Sequence, residues 1–283
     1  MKIQHFFDPR TWTLSYVVFD EQARVGVVID SVADYDQKSV RVFHESAAAI
    51  ATFLDQHRIE VPYVLDTHIH ADHLTAMPFF RAKYGARTVI SAHVTEVQAT
   101  FAKVFGLEGF PTDGSQFDVL LDDGATLEAG PLTIEALPCH GHTPASLAFK
   151  IGDALFVGDS LFQPDSGTAR CDFPGGSAAI EYDSIRRLFE LPDDTRVFTG
   201  HDYQPGGREL QFESTIAEQR RGNIHLRTDT SREEFVALRK QLEAGKELPT
   251  LLFPALQVNM RAGVLPEPES NGIAYLKLPL NQF

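Results

Sequence analysis

Cysteine is nearly absent. The 283 residues hold two, Cys139 and Cys171, without the paired spacing of a metal finger and too few for a disulfide framework. Both read as free thiols in a reducing compartment. Basic residues are also short: 25 Lys and Arg face 39 Asp and Glu, a formal charge of −14. A phosphate backbone would be repelled unless the cations were segregated, and no Lys/Arg block exceeds that in "QRRG", so nucleic acid is excluded as a partner. Long apolar runs are missing too. No stretch approaches the roughly 20 residues of a membrane span. The N-terminus "MKIQHFFDPRTW" lacks the basic flank and apolar block of a signal peptide. The expectation is a cytoplasmic protein with no membrane partner.

Hydrophobic residues make up 43% of the chain, ample for a packed interior. The length suits one large domain with an appended segment, or two small ones. "TLSYVVFDE" and "VGVVID" read as strands and "SVRVFHESAAAIATFLDQH" as a covering helix. "PYVLDT" is a short buried strand, "HLTAMPFFRAKYG" a helix closed by Gly85, "TVISA" a strand, and "VTEVQATFAKVFG" a helix stopped by Gly106. From Phe117 to Asp159 the pattern is mostly β. "AAIEYDSIRRLFEL", "GGRELQFESTIAEQRRG" and "REEFVALRKQLEAG" then show helical spacing, with the strand "TRVFTGHD" between the first two. Two β-rich halves, each closed by helices, predict an α/β fold with sheets stacked between helical layers. The whole of 1–283 is expected to be a single domain, with a C-terminal extension over about 245–283. Within it "FPALQVN" reads as a strand or extended segment that presents Arg261.

The chemistry concentrates in "VLDTHIHADHLT". In an extended segment side chains two apart share a face, so His68, His70 and Asp72 can point together while His73 turns aside as a helix begins. One loop could feed two adjacent metal positions. The bland alternative is a helix start capped by Asp72 with solvated histidines around it. His142 in "PCHGHTPAS", Asp159 in "FVGDSLF" and His201 in "FTGHDY" each stand where a strand gives way to a Gly-containing loop, the usual place for functional groups on a sheet scaffold.

"HIHADH" fits the HxHxDH signature of the metallo-β-lactamase fold, and "GHTPAS", "VGDSLF" and "TGHDY" resemble its later ligand motifs in order. The resemblance runs from the opening strands to beyond Asn259. It implies an αββα sandwich with two mixed β-sheets between helical layers. "GTARCDFPGG" resembles the GR-x-DF segment of persulfide (sulfur) dioxygenases in their bacterial branch often labelled β-lactamase-like hydrolase. "VNMRAG" is similar to that family's C-terminal N-[LM]-R-C-G segment, with Ala262 in place of the cysteine.

The resemblance implies an enzyme, a sulfur dioxygenase with one Fe(II) per chain held by His68, His142 and Asp159. Such a two-histidine, one-carboxylate face leaves positions open for substrate and oxygen. His70, Asp72, His73 and His201 would then support those ligands, or bind a second metal in a two-zinc hydrolase. The implied reaction takes glutathione persulfide and O₂ to sulfite and glutathione. Arg170 and Arg261 are the expected carboxylate clamps and Tyr203 a donor near the sulfur. Cys171, beside Arg170, is the thiol expected nearer the site, as a small unreactive side chain. Relatives suggest a homodimer. The rival is a glyoxalase II-like thioester hydrolase with two metals.

Overall fold

The computed structural model describes residues 1–282. Strands β1 (Lys2–Asp8), β2 (Thr13–Asp20), β3 (Val25–Ile29), β4 (Val32–Asp36) and β5 (Arg41–Phe43) precede helix α1 (Glu45–His57). Next come β6 (Glu60–Leu65), β7 (Leu74–Thr75), α2 (Met77–Tyr84), β8 (Arg87–Ser91), α3 (Val94–Val104) and β9 (Val119–Leu121). The second half runs through β10 (Thr126–Ala129), β11 (Leu132–Pro138), β12 (Leu147–Ile151), β13 (Ala154–Phe156), α4 (Ala178–Leu188), β14 (Arg196–Phe198), β15 (Glu213–Thr215), α5 (Ile216–Gly222) and α6 (Arg232–Glu243). α7 (Leu252–Asn259) follows.

One sheet has the order β1-β2-β3-β6-β8-β9 and the other β10-β11-β12-β13-β14-β15, with a small β5-β4-β7 sheet beside them. The first is antiparallel up to β3 and parallel from β3 to β9. The second is antiparallel except for the parallel β13–β14 pair. Both are therefore mixed, as expected.

Alternation along the strands explains the layers. Tyr16, Val18, Val27, Ile29 and Leu65 pack against Ile134, Leu147, Phe149, Phe156 and Phe198 of the opposing sheet. Their neighbours Val17, Val28 and Val64 face outward, onto Ile50, Leu54, Phe80, Phe101 and Leu256. In the second sheet Ala148, Leu155 and Val197 face Ile185, Leu188, Ile216 and Phe235. Two sheets thus share one core while helices cover both outer faces. The order is helix, sheet, sheet, helix.

Several local readings are corrected. β1 was not foreseen, yet it pairs with β2 along its whole length, Lys2 with Phe19 through Asp8 with Thr13. The helix after His73 begins at Met77, because Leu74 and Thr75 pair with β4. The "GGRELQFESTIAEQRRG" segment is α-helical only from Ile216. Thr215 and Glu218 form a reciprocal capping box that fixes that start, and residues 213–215 pair with β14. "FPALQVN" lies in helix α7, not in a strand. Nearly every side of α7 is buried, so its apolar run carries no amphipathic period to distinguish the two.

Candidate metal centre

The ends of β3, β6, β13 and β14 meet at one edge of the sandwich. The sheets are stitched there by two backbone hydrogen bonds, Leu147 N–H to Thr67 O and Leu14 N–H to Gly200 O, at 2.8 Å each, while Gly200 N–H donates to Gly158 O at 2.8 Å within the second sheet. Gly158 has φ +51°, and a Cβ there would press on the Thr67 side chain. Glycine lets Asp159 follow at once, close to the first sheet's loop.

That loop is set by a carboxylate the sequence reading missed. Asp30, at the end of β3, accepts the Thr67 N–H at 2.7 Å and the Thr67 hydroxyl at 2.9 Å. The hydroxyl proton is thereby spent, so the 3.0 Å contact to His68 Nδ1 puts the ring proton on Nδ1. His70 Nε2 faces Asp30 Oδ1 at 3.2 Å, His73 Nδ1 the Leu74 carbonyl at 3.1 Å, and His142 Nδ1 the Arg170 carbonyl at 2.6 Å. Each bond fixes a tautomer and turns the other nitrogen's lone pair inward. His68 Nε2, His70 Nδ1 and His73 Nε2 are buried with no hydrogen-bond partner. An orphaned buried polar atom costs about 1–3 kcal/mol, and three converge here. Asn259 braces the same loop, donating to the His70 and His73 carbonyls at 2.8 Å each and accepting from Thr75 N–H at 2.9 Å.

The second half completes the constellation. Asp159 Oδ2 lies 3.9 Å from His68 Nε2 and 3.7 Å from His142 Nε2. His201 Nε2 is 3.1 Å from Asp72 and 3.3 Å from Asp159. Ligand atoms fall within 4.8 Å of one another in three neighbouring groups: His68, His142 and Asp159; His70, Asp72 and His73; Asp72, Asp159 and His201. All seven ligand-type residues expected at the site come together. Imidazole and carboxylate donors with inward lone pairs fit a divalent ion such as iron or zinc.

Burial pushes His68 and His70 well below the ordinary histidine range, and neighbouring histidines add to the effect, so both rings are neutral. Burial also opposes charge on His201, but Asp159 and Asp72 outweigh it and raise that ring to about 10. A metal there must displace a proton. Burial would lift Asp72, yet His201 and His73 hold it well below the usual carboxylate range.

A cavity of about 410 Å³ opens onto His142, Asp159 and Asp72, with Phe162, Phe173, Tyr203, Arg170 and Lys246 around it. Tyr203 stacks on His201 with ring centroids 5.5 Å apart. Arg170 is tethered: its Nε and Nη2 donate to Asp172 at 2.6 and 2.7 Å and its Nη1 to the Glu247 carbonyl at 2.7 Å. Lys246 was missed, because a lone lysine between glycine and glutamate carries no signal. Arg261 does not join Arg170. It sits over the Phe110 ring at 4.6 Å and lines a different cavity with Lys277, because α7 ends on the outer helical layer. Cys171 is buried against Glu181. Burial first, then the Glu181 charge, pushes its thiol far above the ordinary range, as suits a packing role. Among the described residues no helix is long and apolar enough to cross a membrane.

Residues 13–201 match the family model described as the metallo-beta-lactamase superfamily. This chain belongs to that superfamily. It is 47% identical to a probable metallo-hydrolase of Burkholderia pseudomallei over 99% of both chains. It is 49% identical over 99% of its length to a beta-lactamase hydrolase-like protein of Agrobacterium fabrum, but spans only 64% of that protein. Identity is 41% to glyoxylase B2 of Dictyostelium discoideum (99% of this chain, 97% of that one) and 29% to the mitochondrial persulfide dioxygenase ETHE1 of Homo sapiens (93% and 89%). Among solved structures, that of ETHE1 from Myxococcus xanthus superposes with a TM-score of 0.75 at 30% identity, covering 93% of this chain and all of that one.

Proposed function

We propose that this chain is a persulfide dioxygenase that takes glutathione persulfide, O₂ and water to glutathione and sulfite at one iron. The observation that carries the reading is the convergence of His68, His142 and Asp159 beside a cavity whose lining includes Arg170 and Lys246. Likeness to the ETHE1 structure and the "GTARCDF" segment support it. Iron(II) on that face would supply open coordination positions and a change of oxidation state, which zinc lacks. The protein's own part is positioning. Arg170 and Lys246 offer positive charge to the two carboxylates of glutathione, and Phe162 and Phe173 shield the floor from water. Tyr203 offers a phenolic donor beside His201. His70, His73 and His201 hold Asp72 and the loop in place.

A second reading is favoured by a specific observation: Asp72, Asp159 and His201 also converge, beside His70 and His73. Two metals held there would polarise a thioester carbonyl and generate hydroxide, in keeping with the glyoxylase B2 relative. Metal analysis of anaerobically purified protein, coupled to oxygen uptake with glutathione persulfide, decides between them. About one iron per chain with sulfite release is expected; two zinc ions and oxygen-independent thioester cleavage overturn the proposal.

A further inference from the structure

Outside that centre a second group of ligand-type side chains converges at the surface. His93 precedes α3, Asp123 lies between β9 and β10, and His140 follows β11. His140 Nε2 lies 3.1 Å and His93 Nε2 3.9 Å from Asp123 Oδ2. Ligand atoms of all three lie within 4.8 Å of one another, and the two rings meet edge to face with centroids 4.8 Å apart. Donors on a tetrahedral zinc, each about 2.0–2.1 Å from the ion, stand roughly 3.3 Å apart. The observed spacing needs little adjustment. Two further features suit a ligand set rather than a solvated ion pair. His93 Nδ1 is held by Glu96 Oε1 at 2.8 Å, which leaves Nε2 free to coordinate, the usual support for a metal-bound histidine. The backbone also fixes all three loops: Ala92 N–H donates to Leu121 O and Gly124 N–H to Ala136 O, at 2.8 Å each, and the Ser184 hydroxyl donates to His140 O at 2.8 Å.

We infer that His93, Asp123 and His140 form a second, peripheral site for a zinc-class divalent cation, with its remaining position open to water. It is independent of the proposed reaction. An ion there joins the end of β8 and the β9–β10 turn to the loop that carries His142 two residues after His140, so occupancy stiffens that loop.

Cobalt(II) is the probe. Protein with its buried centre loaded is dialysed against micromolar Co²⁺ and its metal content counted, alongside Asp123→Asn and His93→Ala. Wild type is expected to hold one cobalt equivalent more than either variant, and to show a visible d–d band that both lack. Glu96→Gln should weaken that binding by about 10-fold, as loss of a supporting hydrogen bond does. Unchanged melting and unchanged buried-centre metal without added cobalt show that the variants fold. Equal cobalt counts in wild type and both variants overturn the inference, as does an extra equivalent that neither substitution removes.

Discussion

The two halves of the sandwich contribute to one centre in opposite ways. The first packs His68, His70, Asp72 and His73 into a single loop after β6, while the second sends His142, Asp159 and His201 from three separate strand ends. A contiguous loop can be oriented by a few local anchors, here Asp30 beneath it and Asn259 behind it. Dispersed ligands depend on strand register and on the bonds that stitch the sheets. The first half should therefore fail by loosening, and the second by losing a ligand outright.

Asp159→Ala gives the largest expected effect. Asp159 faces His68, His142 and His201 at once, so metal retention and turnover should fall by more than about 100-fold, beyond the cost of losing a supporting residue. Metal content after gel filtration measures it; retention near wild type would break the comparison. Asp30→Asn tests the local anchor and should weaken metal binding by about 10–100-fold while the ligands themselves remain, read by competition with a chelator. Asn259→Ala strands the Thr75 N–H and removes the donor to two carbonyls. A loss of about 2 kcal/mol in urea unfolding is expected, and an unchanged midpoint would show that the loop holds itself.

Under the proposed function, Arg170→Ala should raise KM by about tenfold with kcat little changed, since it would remove a charge-assisted contact proposed to serve the ground state and transition state alike. Arg261→Ala should leave KM within about twofold, because it faces another cavity. Equal effects would merge the two. A separate prediction concerns Glu181, against which Cys171 rests. Burial pushes its carboxyl from 4.5 up to about 8, so the folded chain keeps a proton that the unfolded chain releases. That stabilisation is complete below pH 4.5 and is lost as pH rises through about 8. Glu181→Gln keeps the group neutral and should flatten the stability profile across that window, measured by denaturant titration.

Much of this was legible beforehand for physical reasons. β2 and β3 declare themselves by apolar runs, α1 by Ala47, Ile50, Ala51 and Leu54 at helical spacing. The capping boxes at Thr215 and Ser231 stand in the sequence as T-x-x-E and S-x-x-E, and reading the first would have placed the start of α5 correctly. Asp30 could have been found, since it ends an apolar strand as Asp159 follows one. Lys246 could not, because its place at the cavity comes from the loop after α6 folding back toward Arg170.

The sequence by itself determined the ligand chemistry and the layering, because donor types, their order and the alternation of apolar residues are local properties of the chain. Only the tertiary structure decided which nitrogen of each histidine faces inward, which arginine reaches the cavity, and that the last helix belongs to the first half's core. Those outcomes depend on contacts between residues far apart in the chain, such as His70 and Asn259, 189 positions apart, and no local pattern encodes a distance across the sandwich.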